Sequence, residues 1–96
     1  MIIETHRFRL ASGTSRDSFV DADSQAQVDF FYQQAGLRRR TVASGDDGEW
    51  LTVTLWDSPD AARAAWRAAE ENPAARHFLS LIDDDSTERK TYSLLG

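Results

Sequence analysis

The sequence predicts an α+β fold of the ferredoxin-like type: a four-stranded antiparallel sheet in the order β-α-β-β-α-β, with its helices on one face. Three observations predict it. Residues 2–10 (IIETHRFRL) and 49–56 (EWLTVTLW) alternate with period two and are rich in β-branched and aromatic side chains. Two stretches at helical spacing follow these strands, each opened by a capping residue. Gly45-Asp46-Asp47-Gly48 reads as a tight hairpin turn that joins the second strand directly to the third.

The elements follow in order. In residues 2–10, Ile2, Glu4, His6, Phe8 and Leu10 share one face, and Ile3, Thr5, Arg7 and Arg9 the other. Ala11-Ser12-Gly13-Thr14 is a turn. Residues 15–35 read as a helix capped by Thr14 or Ser15, with Asp17 in its first turn and Gly36 just beyond its end. Phe19, Ala22, Ala26 and Phe30 lie near one face of it, with Asp23 and Gln27 beside them. Residues 37–44 make the second strand. The third carries Leu51, Val53 and Leu55 on one side and Trp50, Thr52, Thr54 and Trp56 on the other. Ser58-Pro59-Asp60 starts the second helix, with Ala62, Ala65, Trp66 and Ala69 at helical spacing. Asn72-Pro73 restarts it, and Ala74, His77, Phe78, Leu81 and Ile82 continue the apolar side. Asp83-Asp84-Asp85 is unfavourable at a helix C-terminus, so the helix is expected to stop before it. Residues 88–95 make the last strand, with Tyr92 and Leu94 on one face.

Ninety-six residues make one domain, 41% hydrophobic and 28% charged, with a net charge of -5. The acidic balance argues against a nucleic-acid or anionic-membrane binder. With no cysteine, disulfides, thiolate metal sites and cysteine nucleophiles are excluded. The first ten residues hold Glu4, His6, Arg7 and Arg9, which suits neither a signal peptide nor a membrane span. A cytoplasmic protein is expected, and the Arg and Ala bias suggests a GC-rich bacterial genome. Helices cover one sheet face only, while the third strand is apolar on both sides. The bare face would exceed the apolar patch a monomer tolerates. A homodimer packed through that face is expected, since a small chain gains much from a partner subunit.

The opening MIIETHRFRL with Gly13 resembles the first strand and turn of the antibiotic biosynthesis monooxygenase (ABM) superfamily. The stretches GEWLTVTLWDSPDAARAAW and NPAARHFLSLID are similar to it as well. In that pattern a strand ends in Trp, then come a polar residue, Ser and an Ala-rich helix. A second helical piece carries a small residue, a basic residue or His, and Phe. Gly36-Leu37 matches the family's entry to strand two, with Ala35 in place of Pro. The resemblance covers nearly the whole chain and implies a dimeric α+β barrel. It implies a small monooxygenase that acts on an aromatic, polyketide-like molecule without metal or flavin. The superfamily also contains haem-degrading enzymes and members without known activity.

Several residues could carry chemistry. His6 faces the helix-covered side, where the resemblance suggests a pocket; the haem-degrading relatives have an Asn there. It could move a proton or be satisfied by a partner near Glu4. Asp23 and Gln27 are four apart on the first helix and neighbours in space. Facing the sheet, Asp23 would need a partner such as His6, or would serve as a base; otherwise the two form a polar rim. His77 could orient a substrate or, by resemblance, ligate haem; a surface histidine beside Arg76 is the plainer assignment. Trp66, Phe30 and Phe78 would be pocket walls or ordinary core. Arg38-Arg39-Arg40 should alternate along its strand and pair with carboxylates or edge the dimer seam, rather than bind phosphate. Asp83-Asp84-Asp85 lacks the ligand spacing of a calcium loop. Three functions follow: a monooxygenase using His6 or Asp23 for proton transfer, a haem-binding enzyme, and a non-catalytic dimeric module. No cofactor is expected in the first.

Overall fold

The computed structural model describes residues 1–96. The strands are β1 (Ile2–Phe8), β2 (Leu37–Ser44), β3 (Trp50–Trp56) and β4 (Glu88–Ser93). The helices are α1 (Arg16–Asp29), α2 (Pro59–Ala69) and α3 (Pro73–Ser80). The strands form one antiparallel sheet in the order β2-β3-β1-β4, the ferredoxin-like arrangement expected. No helix is long and apolar enough to cross a membrane.

Each helix starts where a side chain satisfies its free N–H groups. Ser15 accepts from the Ser18 amide at 3.1 Å, Ser58 from Ala61 at 3.1 Å, and Asn72 from Ala75 at 3.0 Å. Pro59 and Pro73 begin α2 and α3, where a missing N–H costs nothing.

The first helix is shorter than the sequence suggested: it ends at Asp29, not at residue 35. Phe30 leaves helical geometry (φ -135°, ψ -67°), and Phe31–Gln33 forms a short 3-10 turn. Adjacent residues on a helix point about 100° apart, so the break changes how the two consecutive rings are aimed. Breaking the helix lets Phe30 and Phe31 both enter the core, with their ring centroids 5.0 Å apart. Gly36 therefore does not cap α1. It turns the chain into β2 at φ +88°, and its carbonyl accepts from the Asp57 amide at 2.8 Å. The first strand stops at Phe8, and Leu10 makes an isolated bridge to Ile82. The last strand stops at Ser93.

The inward face of β1 reads Ile2, Glu4, His6, Phe8, and that of β3 reads Trp50, Thr52, Thr54, Trp56; all eight are buried. Apolar residues gather at the two ends of these rows. One cluster joins Phe8, Phe19, Phe30, Phe31, Trp50 and Phe78, among others. The smaller one joins Ile2, Trp56, Ala62 and Ala65. Small alanines on α2 let that helix approach the fully buried Trp56. Every residue of β4 is exposed, so the helical layer stops short of this edge strand. On the other sheet face, Ile3, Val53, Leu55 and Leu94 line a groove of about 280 Å³ with Arg39 and Thr41.

Gly36 is the backbone position that tests this packing. A Cβ there would lie 2.6 Å from the Ala61 Cβ, on top of the positive φ. At Gly13, φ +85°, a Cβ would meet nothing within 4 Å. Gly13→Ala should cost about 1–2 kcal/mol, the left-handed penalty alone. Gly36→Ala should cost more than that, because α2 must also move. Urea unfolding of the two variants compares them directly.

Candidate functional site

A polar band crosses the helix-covered face of the sheet between the two apolar clusters. The register places Arg89 opposite His6 and His6 opposite Thr52. One row over, Thr91 faces Glu4, Glu4 faces Thr54, and Thr54 faces Arg40. Glu4, His6, Arg40, Thr52 and Thr54 are all buried.

Glu4 is held by two tryptophans. The Trp66 Nε1–H donates to its carboxylate oxygens at 2.9 and 3.2 Å, and the Trp56 Nε1–H donates at 3.2 Å. Indole is a donor only, so these rings suit a buried acceptor. The guanidinium of Arg89 lies over the Trp66 ring, 4.1 Å from its centroid, and adds a cation near this carboxylate.

Arg40 anchors the other side. Its guanidinium lies 4.2 Å from the Phe31 centroid and 5.4 Å from that of Phe78. It donates to Asp23 at 2.6 Å and to Gln27 at 3.3 Å.

His6 lies between these two arginines and is 2% exposed. Its ring packs at 4.8 Å from Phe8 and 6.2 Å from Trp66. Its two nitrogens are the only buried side-chain polar atoms without a hydrogen-bond partner. Burial, reinforced by the charges of Arg89 and Arg40, pushes its pKa down to about 4. The ring is therefore neutral near pH 7, with one N–H to give and one lone pair to accept.

The candidate residues divide accordingly. Asp23 and Gln27 do face the sheet, but their partner is Arg40, not His6. One of the two Asp23 carboxylate oxygens accepts from that guanidinium. Phe30 and Phe78 are buried in the larger apolar cluster, and Trp66 is half-buried against it. His77 is exposed on the outside of α3 and does not reach the band. The expected hollow beneath the helices is filled: none of the five depressions on the molecule is lined by His6, Glu4 or Trp66. No group of three or more histidine or acidic side chains is placed to hold a metal ion.

Arg89 and the inward role of Arg40 were missed from the sequence. Arg40 had a signal: it shares parity with the apolar Val42 on β2. Arg89 had none, because only the β1–β4 register sets it opposite His6. Arg38, by contrast, pairs with Asp57 at the surface.

No family model and no curated protein matches the sequence. Solved structures do match the fold. The chain is similar to SnoaB from Streptomyces nogalater, described as a cofactor-independent oxygenase. The TM-score is 0.80 at 20% identity, over 99% of this chain and 93% of that one. A candidate antibiotic biosynthesis monooxygenase from Bordetella bronchiseptica matches with a TM-score of 0.78 at 13% identity, over 98% and 96% of the two chains. One from Nitrosomonas europaea matches with a TM-score of 0.73 at 11% identity, over the full length of both. The chain has the fold these proteins share.

The pH dependence of stability reports on His6. Between pH 6.5 and about 4 the unfolded chain takes up a proton on this residue that the folded chain excludes. Stability is full above that window and falls as pH drops through it, by on the order of 3 kcal/mol. Urea unfolding at pH 7 and pH 4.5 should show a larger loss for the wild type than for His6→Gln. Equal losses would place the sensitivity elsewhere.

Proposed function

We propose that this chain is a cofactor-independent monooxygenase for an aromatic, polyketide-like small molecule, and that it works as a homodimer. The observation that carries the reading is the state of His6. A buried polar group without a partner costs stability, commonly about 1–3 kcal/mol. A neutral imidazole left in that state is ready to accept a proton from a bound ligand and to donate a hydrogen bond to it.

The chemistry asks little else of the protein. An acidic CH₂ between aromatic rings is deprotonated, and the resulting carbanion gives electrons to O₂. One oxygen remains as a carbonyl and the other leaves as water. Oxidation of CH₂ to C=O supplies the four electrons that O₂ takes up, so no external reductant is needed. His6 takes the first proton. Developing negative charge then lies between Arg89 and Arg40, which raises the imidazole's basicity when it is needed. Trp66 and Phe78 are proposed walls of the site, with Phe30 behind them. Gln27 is proposed as a hydrogen-bonding contact at its Arg40 end. Asp23 acts through Arg40 and is not the base. His77 has no role in this interior. The fold shared with SnoaB supports the reading.

The filled interior favours a second reading, a non-catalytic dimeric module. For the monooxygenase the helical layer must shift to admit a substrate, and β4, with no helix above it, offers the least resistance. Oxygen consumption with a tricyclic aromatic bearing a doubly benzylic CH₂ separates the two readings. Turnover should be detectable and fall about a hundredfold or more in His6→Gln. No turnover in the wild type, or full turnover in the variant, contradicts the monooxygenase reading.

The homodimer is proposed to pack through the sheet face that carries Ile3, Val53 and Leu55. Burying a lysine there would be costly, so Val53→Lys should convert the dimer to monomer in sedimentation equilibrium. A monomeric wild type would contradict the assembly.

A further inference from the structure

The sheet face turned away from the helices has four corners, fixed by strand register. Arg39, Leu55, Ile3 and Tyr92 form one row across the sheet. Ala43, Leu51, Arg7 and Glu88 form a second row, with Val53 between the two on β3. The corners are therefore Arg39 and Ala43 on the edge strand β2, and Tyr92 and Glu88 on the edge strand β4. Arg39 and Glu88 stand at opposite ends of one diagonal. The face is nearly square, since three strand spacings of about 4.8 Å across and four residues of about 3.4 Å along each come to about 14 Å.

Arg39 is the odd charge on this face. Its neighbours in the sequence have carboxylates: Arg38 pairs with Asp57, and Arg40 with Asp23. Arg39 pairs with none. It is exposed, and it borders the groove lined by Ile3, Val53, Leu55 and Leu94. A partner laid over that groove would strip water from the guanidinium, and a desolvated charge without a counter-charge is costly. Two acids serve this face. Glu49 is taken by Arg7 through two hydrogen bonds, at 3.1 and 3.3 Å. Glu88 has one contact, to the exposed Lys90 at 3.2 Å, which leaves its other oxygen free.

We propose that a second copy lies across this face at nearly a right angle, so that Arg39 of each protomer pairs with Glu88 of the partner subunit. A two-fold axis along the diagonal from Ala43 to Tyr92 exchanges the other two corners and makes this pair twice. Orthogonal packing is one of the two common ways in which sheets stack. The other axes serve the charges worse. An axis along the second diagonal sets Arg39 against Arg39 of the partner subunit. An axis along the strands sets it against Tyr92 of the partner subunit, and one across the strands sets it against Ala43 of the partner subunit. None of these supplies an anion. The pairing rests on the homodimer proposed above and not on turnover.

Sedimentation equilibrium of charge-reversal variants tests this orientation. Arg39→Glu and Glu88→Arg each set like charges together twice per dimer, and each should weaken the dimer about a hundredfold. Combining Arg39→Glu with Glu88→Arg restores opposite charges and should recover at least tenfold over either single variant. Both side chains are exposed, so each variant should fold, and far-ultraviolet circular dichroism checks this. If a reversal does not fold, Arg39→Ala, Glu88→Ala and their combination replace it, and the two losses should not add. A monomeric wild type overturns the pairing together with the homodimer. With a dimeric wild type, three results overturn the pairing alone: single reversals that leave the dimer intact, a combined variant no tighter than the single ones, or additive alanine losses.

Discussion

Glu4 and His6 occupy the two central inward positions of β1, and the rest of the interior is arranged around that fact. Apolar residues at all four inward positions of this strand would allow one continuous core. Instead Ile2 belongs to one apolar cluster and Phe8 to another, with a carboxylate and an imidazole between them. Each neighbouring strand answers with polar groups: Thr52 and Thr54 on β3, Arg40 on β2, Arg89 and Thr91 on β4. The helices answer too, through the indole N–H of Trp66 and the side chains of Asp23 and Gln27.

Satisfaction of these groups is uneven. Glu4 accepts from two indoles, and Arg40 has a carboxylate and an amide. These contacts are those of a network built to be dry and ordered. His6 shares the same interior, with aromatic rings around it and a guanidinium on either side, yet has no partner. A purely structural core gains nothing from an imidazole there, since a Leu or Phe would fill similar space without an unmet polar group. In the proposed reading a ligand supplies the missing contacts.

Much of this fold was legible in the sequence because its signals are local. Ser58-Pro59 and Asn72-Pro73 mark helix starts whatever lies around them, and the alternation of EWLTVTLW sorts its own two faces. The end of α1 was not legible. Its period runs on through Phe30, whereas the chain leaves the helix there and buries Phe31 from a 3-10 turn. The site was half legible for the same reason. His6, Asp23 and Gln27 show in the sequence as polar residues on inward faces. That Asp23 meets Arg40 rather than His6 depends on how α1 lies across β2, and that Arg89 meets His6 depends on a register set by strands more than eighty residues apart. His77 has helical spacing that fits the apolar side, but the packing of Ala75 and Phe78 turns it outward.

The account stands on His6 being an uncharged, unengaged imidazole at neutral pH. Nitrogen-15 spectroscopy of the imidazole at pH 7, with His77→Gln as background, tests this most directly. The account predicts two distinct resonances, one protonated and one bare nitrogen, as for a single neutral tautomer. Two equivalent protonated nitrogens would mean an imidazolium between two guanidinium groups, and the account would fail.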